Sequence, residues 1–384
     1  MKSTFQSVIQ SLFVAMTMLA FSHQVTADDK IKLPNVITWS TYTIGSSGYN
    51  NTVSIGKVFK DKLGVNLRPI PGKNDVARLA PMRSGKVDFG LAGGGAFFAF
   101  EGTSIFGKKG WGPQALRVLV YNRPDSGMGI ITLGDSGIKT IADIRDKRVG
   151  TVLSSATIES IVTGGLAFGG MTWDDVKRVE FPGYVASLNG LINGQADVVF
   201  ALTTSAKLYE MESSSHGLRY IPFEHSNKEG WSKMRQYAPH IVPHIASEGP
   251  GLSKDNKIEV GTYPYPILAS YKDADDETVY NLTKAMYVYF DEYKDMAPGN
   301  AGFALERQIY NWGVPFHPGT IRYLKEAGAW KPEYDAHQTY LLKREKVLAG
   351  AWASYNKSAP SDDKAFQEGW EQARKEALAA AGMS

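Results

Sequence analysis

Two stretches of the chain repeat one another, and this repeat constrains the fold more than any other feature. The first runs Arg68-Pro69-Ile70-Pro71-Gly72, then Val76-Ala77-Arg78-Leu79, then Ser84-Gly85-Lys86-Val87-Asp88-Phe89-Gly90-Leu91-Ala92. The second runs Arg178-Val179-Glu180-Phe181-Pro182-Gly183, then Val185-Ala186-Ser187-Leu188, then Asn193-Gly194-Gln195-Ala196-Asp197-Val198-Val199-Phe200-Ala201. Each reads as a short strand ending in Pro-Gly, an amphipathic helix stopped at a glycine, and an Asp leading into a buried strand. The match extends upstream. Val36-Ile37-Thr38-Trp39 enters Gly45-Ser46-Ser47-Gly48 and a helix, and Arg148-Val149-Gly150-Thr151-Val152 enters Ser154-Ser155 and another. Ser47 stands 108 residues before Ser155, and Gly85 stands 109 before Gly194.

Two β-α-β-α-β units at a shared offset predict an α/β protein of two lobes, each a mostly parallel sheet flanked by helices. Turn-rich Tyr121-Asn122-Arg123-Pro124-Asp125-Ser126-Gly127 is the expected first crossing between lobes, and the stretch from Ile258 to Pro264 the return. Lobe 1 then comprises residues 28–122 and 262–384, with the C-terminal helices, and lobe 2 residues 123–261. Helices are expected over Thr278–Phe290, Ile321–Ala327 and an exposed Lys364–Ala381.

Lys2, the apolar run Val8–Phe21 and the small residues Val25-Thr26-Ala27 before Asp28 form the pattern of a secretory signal peptide, 1–27, cut after Ala27. This places the mature chain in the periplasm. The absence of cysteine closes off a lipid anchor at the mature N-terminus, disulfides and thiolate metal sites. A formal charge of +3 with no basic cluster excludes a nucleic-acid partner.

Each lobe offers a serine-rich turn at a helix start: Ser46 and Ser47 in one, Ser154, Ser155 and Thr157 in the other. Free backbone N–H groups and the helix dipole there suit an anion, although serine also simply caps helices. Thr203 and Thr204 follow the second-lobe strand, and Gly94 and Gly95 lie in the matching first-lobe segment. Both segments belong at the C-terminal ends of strands, where open sheets bind ligands. Tyr49 and Tyr263 are candidate walls. Arg123 is either a forked anion contact or a surface hinge residue. The spacing of His240 and His244 suggests a metal pair, but Pro239 and Pro243 break the helix it needs. No acid, base and nucleophile set is present, and no cofactor motif. These features describe a monomeric binding protein without turnover. An accessory protein for a membrane sensor, or an enzyme on the same fold, are the alternatives.

Four stretches carry a family resemblance: Thr43-Ile44-Gly45-Ser46-Ser47-Gly48-Tyr49, Phe100-Glu101-Gly102-Thr103, Asp135–Ile144, and His317-Pro318-Gly319-Thr320-Ile321-Arg322-Tyr323. From about Ile37 to Gly328 the chain resembles the TAXI solute-binding proteins of tripartite ATP-independent periplasmic (TRAP) transporters. The resemblance implies a type II periplasmic-binding-protein clamshell, a small organic anion as ligand, and TRAP transporter membrane subunits as partners. Relatives that bind amino acids carry Gln-Ser-Asp where this chain has Ala92-Gly93-Gly94. An acidic partner for a ligand ammonium group is therefore expected to be missing on that side.

Overall fold

The computed structural model describes residues 31–383, so the expected signal peptide lies outside the described residues. Twelve strands are named here in chain order. They are β1 Val36–Tyr42, β2 Asn66–Gly72, β3 Phe89–Ala92, β4 Leu116–Tyr121, β5 Met128–Leu133, β6 Arg148–Val152, β7 Lys177–Phe181, β8 Val199–Leu202, β9 Leu218–Ile221, β10 Val242–Ala246, β11 Ile258–Thr262 and β12 Ile267–Tyr271.

The repeat folds as two matching units. In the first, β1 and β2 flank helix Ser47–Leu63, and helix Asp75–Arg83 leads to β3. In the second, β6 and β7 flank helix Ala156–Phe168, and helix Tyr184–Ile192 leads to β8. Both pairs of equivalent helices start 109 residues apart, at Ser47 and Ala156 and at Asp75 and Tyr184. β1 runs parallel to β2 and β3, and β6 runs parallel to β7 and touches β8 through the parallel Val149–Val198 bridge.

One sheet has the order β2-β1-β3-β12-β4. Its inserted strand, β12, comes from after the return crossing and is antiparallel to both neighbours. This late strand woven into the first sheet is the type II periplasmic-binding-protein arrangement. The other sheet has the order β10-β11-β5-β8, with β9 also on β5, and every pairing in it is antiparallel. Parallel order in this half is thus confined to the repeated unit. The chain passes from one sheet to the other between Tyr121 and Met128 and returns between Thr262 and Ile267.

Local chemistry explains the helix ends. Ser46 accepts from the Tyr49 N–H at 3.3 Å, and Gly64 ends that helix in the left-handed region at φ 70°. Ile55, Val58 and Phe59 on its inner face are buried against the sheet. Such side chains contribute about 1.5–3 kcal/mol each.

The final helix departs from its expected exposure. Helix Asp363–Ala380 packs on helix Glu333–Tyr355, with Phe366 and Trp370 buried against Trp352. Charge fixes this hairpin to the first lobe. Glu101 is buried between Arg344 (2.6 Å) and Arg374, and Arg117 pairs with Glu345 at 2.5 Å. Burial works against ionisation of Glu101, yet the Arg344 and Arg374 guanidiniums hold its carboxyl below the usual range. Removing the carboxylate leaves the largely buried Arg344 without an acid partner and Arg374 with only Glu371, at 3.8 Å. Glu101→Ala should therefore lower stability by about 3 kcal/mol in urea unfolding. It should also open the segment 333–380 to limited proteolysis at denaturant concentrations where the parent resists.

Candidate functional site

The two lobes meet where helix Asp75–Arg83 faces helix Ala156–Phe168. Asn74 caps the first helix, accepting from the Ala77 N–H at 2.8 Å, while its amide donates across the seam to the Leu153 carbonyl at 3.0 Å. Asp75, only 1% exposed, carries the main link. One carboxylate oxygen pairs with Arg78, one helical turn along. The other accepts from Ser155 Oγ at 3.2 Å and from the Thr157 N–H at 2.9 Å. The N-terminus of the second-lobe helix is thus filled by a carboxylate of the first lobe. Main-chain bonds flank it, from Val76 N–H to the Ser154 carbonyl and from Tyr184 N–H to the Lys73 carbonyl, each 3.4 Å.

A cavity of about 40 Å³ lies behind this link. Its polar side holds Asp75, Arg78, Tyr42, Ser155 and Thr157, with Lys73 at the edge, and its apolar side holds Met128, Ile158, Phe200 and Leu202. Tyr184, Tyr263 and Tyr265 complete the wall. The Arg78 guanidinium lies 4.0 Å from the centre of the Tyr42 ring. Burial holds the hydroxyls of Tyr42, Tyr263 and Tyr265 well above their usual pKa and pushes Tyr184 up to about 12. All four remain protonated, and therefore remain donors. Tyr184 is committed, with Ser205 Oγ at 2.6 Å and the Leu202 N–H at 3.1 Å on its oxygen. Tyr42 Oη, Arg78 Nε and Thr157 Oγ1 are buried without a hydrogen-bond partner. Unpaired buried donors are costly unless something accepts from them.

Of the residues singled out in the sequence, Ser155, Thr157 and Tyr263 line the cavity. Ser46 spends its side chain on its own turn, donating to the Thr43 carbonyl at 2.6 Å. Ser47 is buried beside Tyr265, behind the wall. Gly94 and Gly95 are pressed by the protein itself. A Cβ on Gly94 would lie 2.7 Å from His240 Nε2, and one on Gly95 2.8 Å from Asp75 Cγ. Side chains of the protein itself therefore make a close approach to the glycine run. Thr203 ties the crossing segment, donating to the Glu248 carbonyl at 2.6 Å and accepting from the Gly127 N–H at 3.1 Å. Thr204 is buried and Tyr49 half-buried, both off the cavity wall. Ser154 is exposed and contributes only its carbonyl. Arg123 is exposed and off the cavity wall, and its main chain bonds Gly302 and Arg307.

An acid reaches this side of the cavity from another helix. Residues 92–94 bear none, but Asp75 packs on Gly95. Asp75, Arg78, Tyr42 and Tyr184 were the residues missed. A signal for two of them existed, since the repeat offset of 109 aligns Asp75 with Tyr184, the first residues of equivalent helices that both line the cavity.

These features define a two-lobed α/β protein with a small polar-apolar cavity at the seam. The model of the NMT1-like family matches residues 40–328, more than half of the chain, and the chain belongs to that family. Among solved structures it is similar to the alkanesulfonate-binding protein SsuA from Xanthomonas axonopodis pv. citri bound to MOPS (14% identity, 85% of this chain and 94% of that chain, TM-score 0.44). It is also similar to the periplasmic aliphatic sulphonate binding protein SsuA from Escherichia coli (14%, 80% and 84%, TM-score 0.41). A third is an ancestral arginine-binding protein bound to arginine (17%, 69% and 97%, TM-score 0.41).

His240 presses on the glycine run from the second lobe, among Phe97, Phe98 and Tyr263, with both ring nitrogens unpartnered. Burial drives its pKa from 6.5 down to about 3. The unfolded chain therefore takes up a proton between these values that the folded chain refuses, so stability falls as pH drops from 6.5 towards 3 and is unaffected above. Thermal unfolding should show this loss below pH 6.5, and His240→Phe should flatten it.

Proposed function

We propose that this chain is an exported solute-binding protein that captures a small organic anion between its lobes and delivers it to a membrane transporter. The observation that carries the reading is the set of unpaired buried donors, Arg78 Nε, Tyr42 Oη and Thr157 Oγ1, facing an apolar wall across one cavity. Such a set suits a carboxylate or sulfonate with a compact apolar body. Two cations, Arg78 and Lys73, against one acid, Asp75, leave the lining net positive.

At about 40 Å³ the cavity holds about three waters and no organic acid, so the lobes part to admit ligand. The crossings at 121–128 and 262–267 supply the hinge between lobe 1 (28–122 with 262–384) and lobe 2 (123–261). Secretion with cleavage after Ala27 puts the protein in the periplasm. Among the described residues, no helix is long and apolar enough to cross a membrane. The TAXI-like motifs support a TRAP transporter, driven by an ion gradient, as the membrane partner. Binding and release require no catalytic step.

Arg78 and Lys73 already outnumber Asp75 in the lining, so a ligand ammonium group would add a third cation to it. Deaminated acids should therefore bind at least as well as the matching amino acids in a thermal-shift screen. Native mass spectrometry of purified protein should find a retained acid. Arg78→Gln should weaken its binding by about ten-fold or more, as expected for a lost charge-assisted contact. A retained cationic ligand, or an unchanged affinity in Arg78→Gln, overturns the reading.

A further inference from the structure

We infer that Asp75 is a tethered carboxylate that latches the lobes shut without ligand and competes with the ligand's acid group for one seat. The inference rests on the proposed anion site between the lobes and deepens it.

The seat is the start of helix Ala156–Phe168, which is 13 residues long. It offers the Thr157 N–H, Ser155 Oγ and Thr157 Oγ1. Asp75 takes the first two, at 2.9 and 3.2 Å, and Thr157 Oγ1 stays buried and unpartnered beside them. An aspartate from the other lobe thus does what a ligand carboxylate would do, and leaves one donor of the seat unused. The residues on either side of Asp75 are arranged to present it. Asn74 Nδ2 and Val76 N–H, the neighbours of Asp75 on either side, bond the carbonyls of Leu153 and Ser154, which precede the seat. Arg78 holds the rear oxygen, so Asp75 remains compensated when the lobes part.

Two consequences follow. Closure does not require ligand, because the seam satisfies its own charges. A ligand acid gains the seat only by displacing Asp75, so it must bring enough apolar contact with Met128, Ile158, Phe200 and Leu202 to do so. A bare small anion lacks that body and is turned away. Asp75 then sets specificity against the simple anions of the surroundings.

The chain has no cysteine, so Lys86→Cys and Lys147→Cys, exposed turns in different lobes, give one spin-label pair. Protein is refolded from denaturant to strip any ligand, and the interlobe distance is measured by pulsed electron resonance. The parent should show one narrow distance distribution. Asp75→Asn and Asp75→Ala should raise the longer-distance population about ten-fold or more, the effect of losing a charge-assisted pair of bonds. Ser155→Ala, which removes one hydroxyl and leaves the carboxylate, should open it less. It keeps the test readable if an Asp75 variant fails to fold. Acetate, titrated as the probe, should bind Asp75→Asn about ten-fold more tightly than the parent. Distances unchanged in the folded variants overturn the latch, and unchanged acetate affinity overturns the competition. Distances are read without ligand, so they are independent of whether the parent retains an organic acid, which tests the binding function itself.

Discussion

The structure turns on a buried ion pair that belongs to both lobes at once. Asp75 and Arg78 are 1% and 7% exposed, and moving two charges out of water costs several kcal/mol per ion. Their mutual attraction alone recovers only part of this. The balance comes from Ser155 Oγ, the Thr157 N–H and the dipole of the helix behind them, all on the other lobe. The seam is stable only when the lobes meet, so the same interaction that joins them also sets the energy of parting them.

The neighbours are shaped by that constraint. Gly95 lacks a Cβ because Asp75 occupies the space, Gly94 because His240 does, and Gly93 because a Cβ would lie 2.6 Å from Tyr42 Oη. Gly48 gives way to the same Tyr42 ring. Small residues on the first lobe thus let aromatic and charged side chains converge on one cavity. Tyrosines suit its wall because each buries a large ring and still presents a hydroxyl. Helix Gly94–Glu101 connects this region to the C-terminal hairpin: its first residues meet the seam, and its last, Glu101, is clamped by Arg344 and Arg374. The hairpin, beyond the family-matched residues, thereby anchors an element of the site.

The hinge is held by a separate set of contacts. Arg307 pairs with Asp125 at 3.1 Å, and Glu248 accepts from the Gly299 N–H at 2.7 Å. Asn122 donates to the Gly299 carbonyl at 2.9 Å. The Arg307–Asp125 pair at the crossings is partly exposed and exchanges with water at lower cost, while the Asp75–Arg78 pair at the seam is buried.

The sequence by itself determined the architecture. Hydrophobic periodicity and the repeat placed both β-α-β-α-β units, because burial patterns are local and recur wherever the same unit is built. It also found Ser155, Thr157 and Tyr263, since capping residues and strand ends announce themselves. It did not yield Asp75 and Arg78, which in one dimension look like the first turn and outer face of an ordinary amphipathic helix. Nor did it show that β9, β10 and β11 would pair antiparallel, or that Phe366 and Trp370 would bury the final helix. Only the tertiary structure decided these, for one physical reason. A charge at a helix start is a surface residue until another lobe brings a helix N-terminus within 3 Å of it, and no spacing along the chain records that meeting.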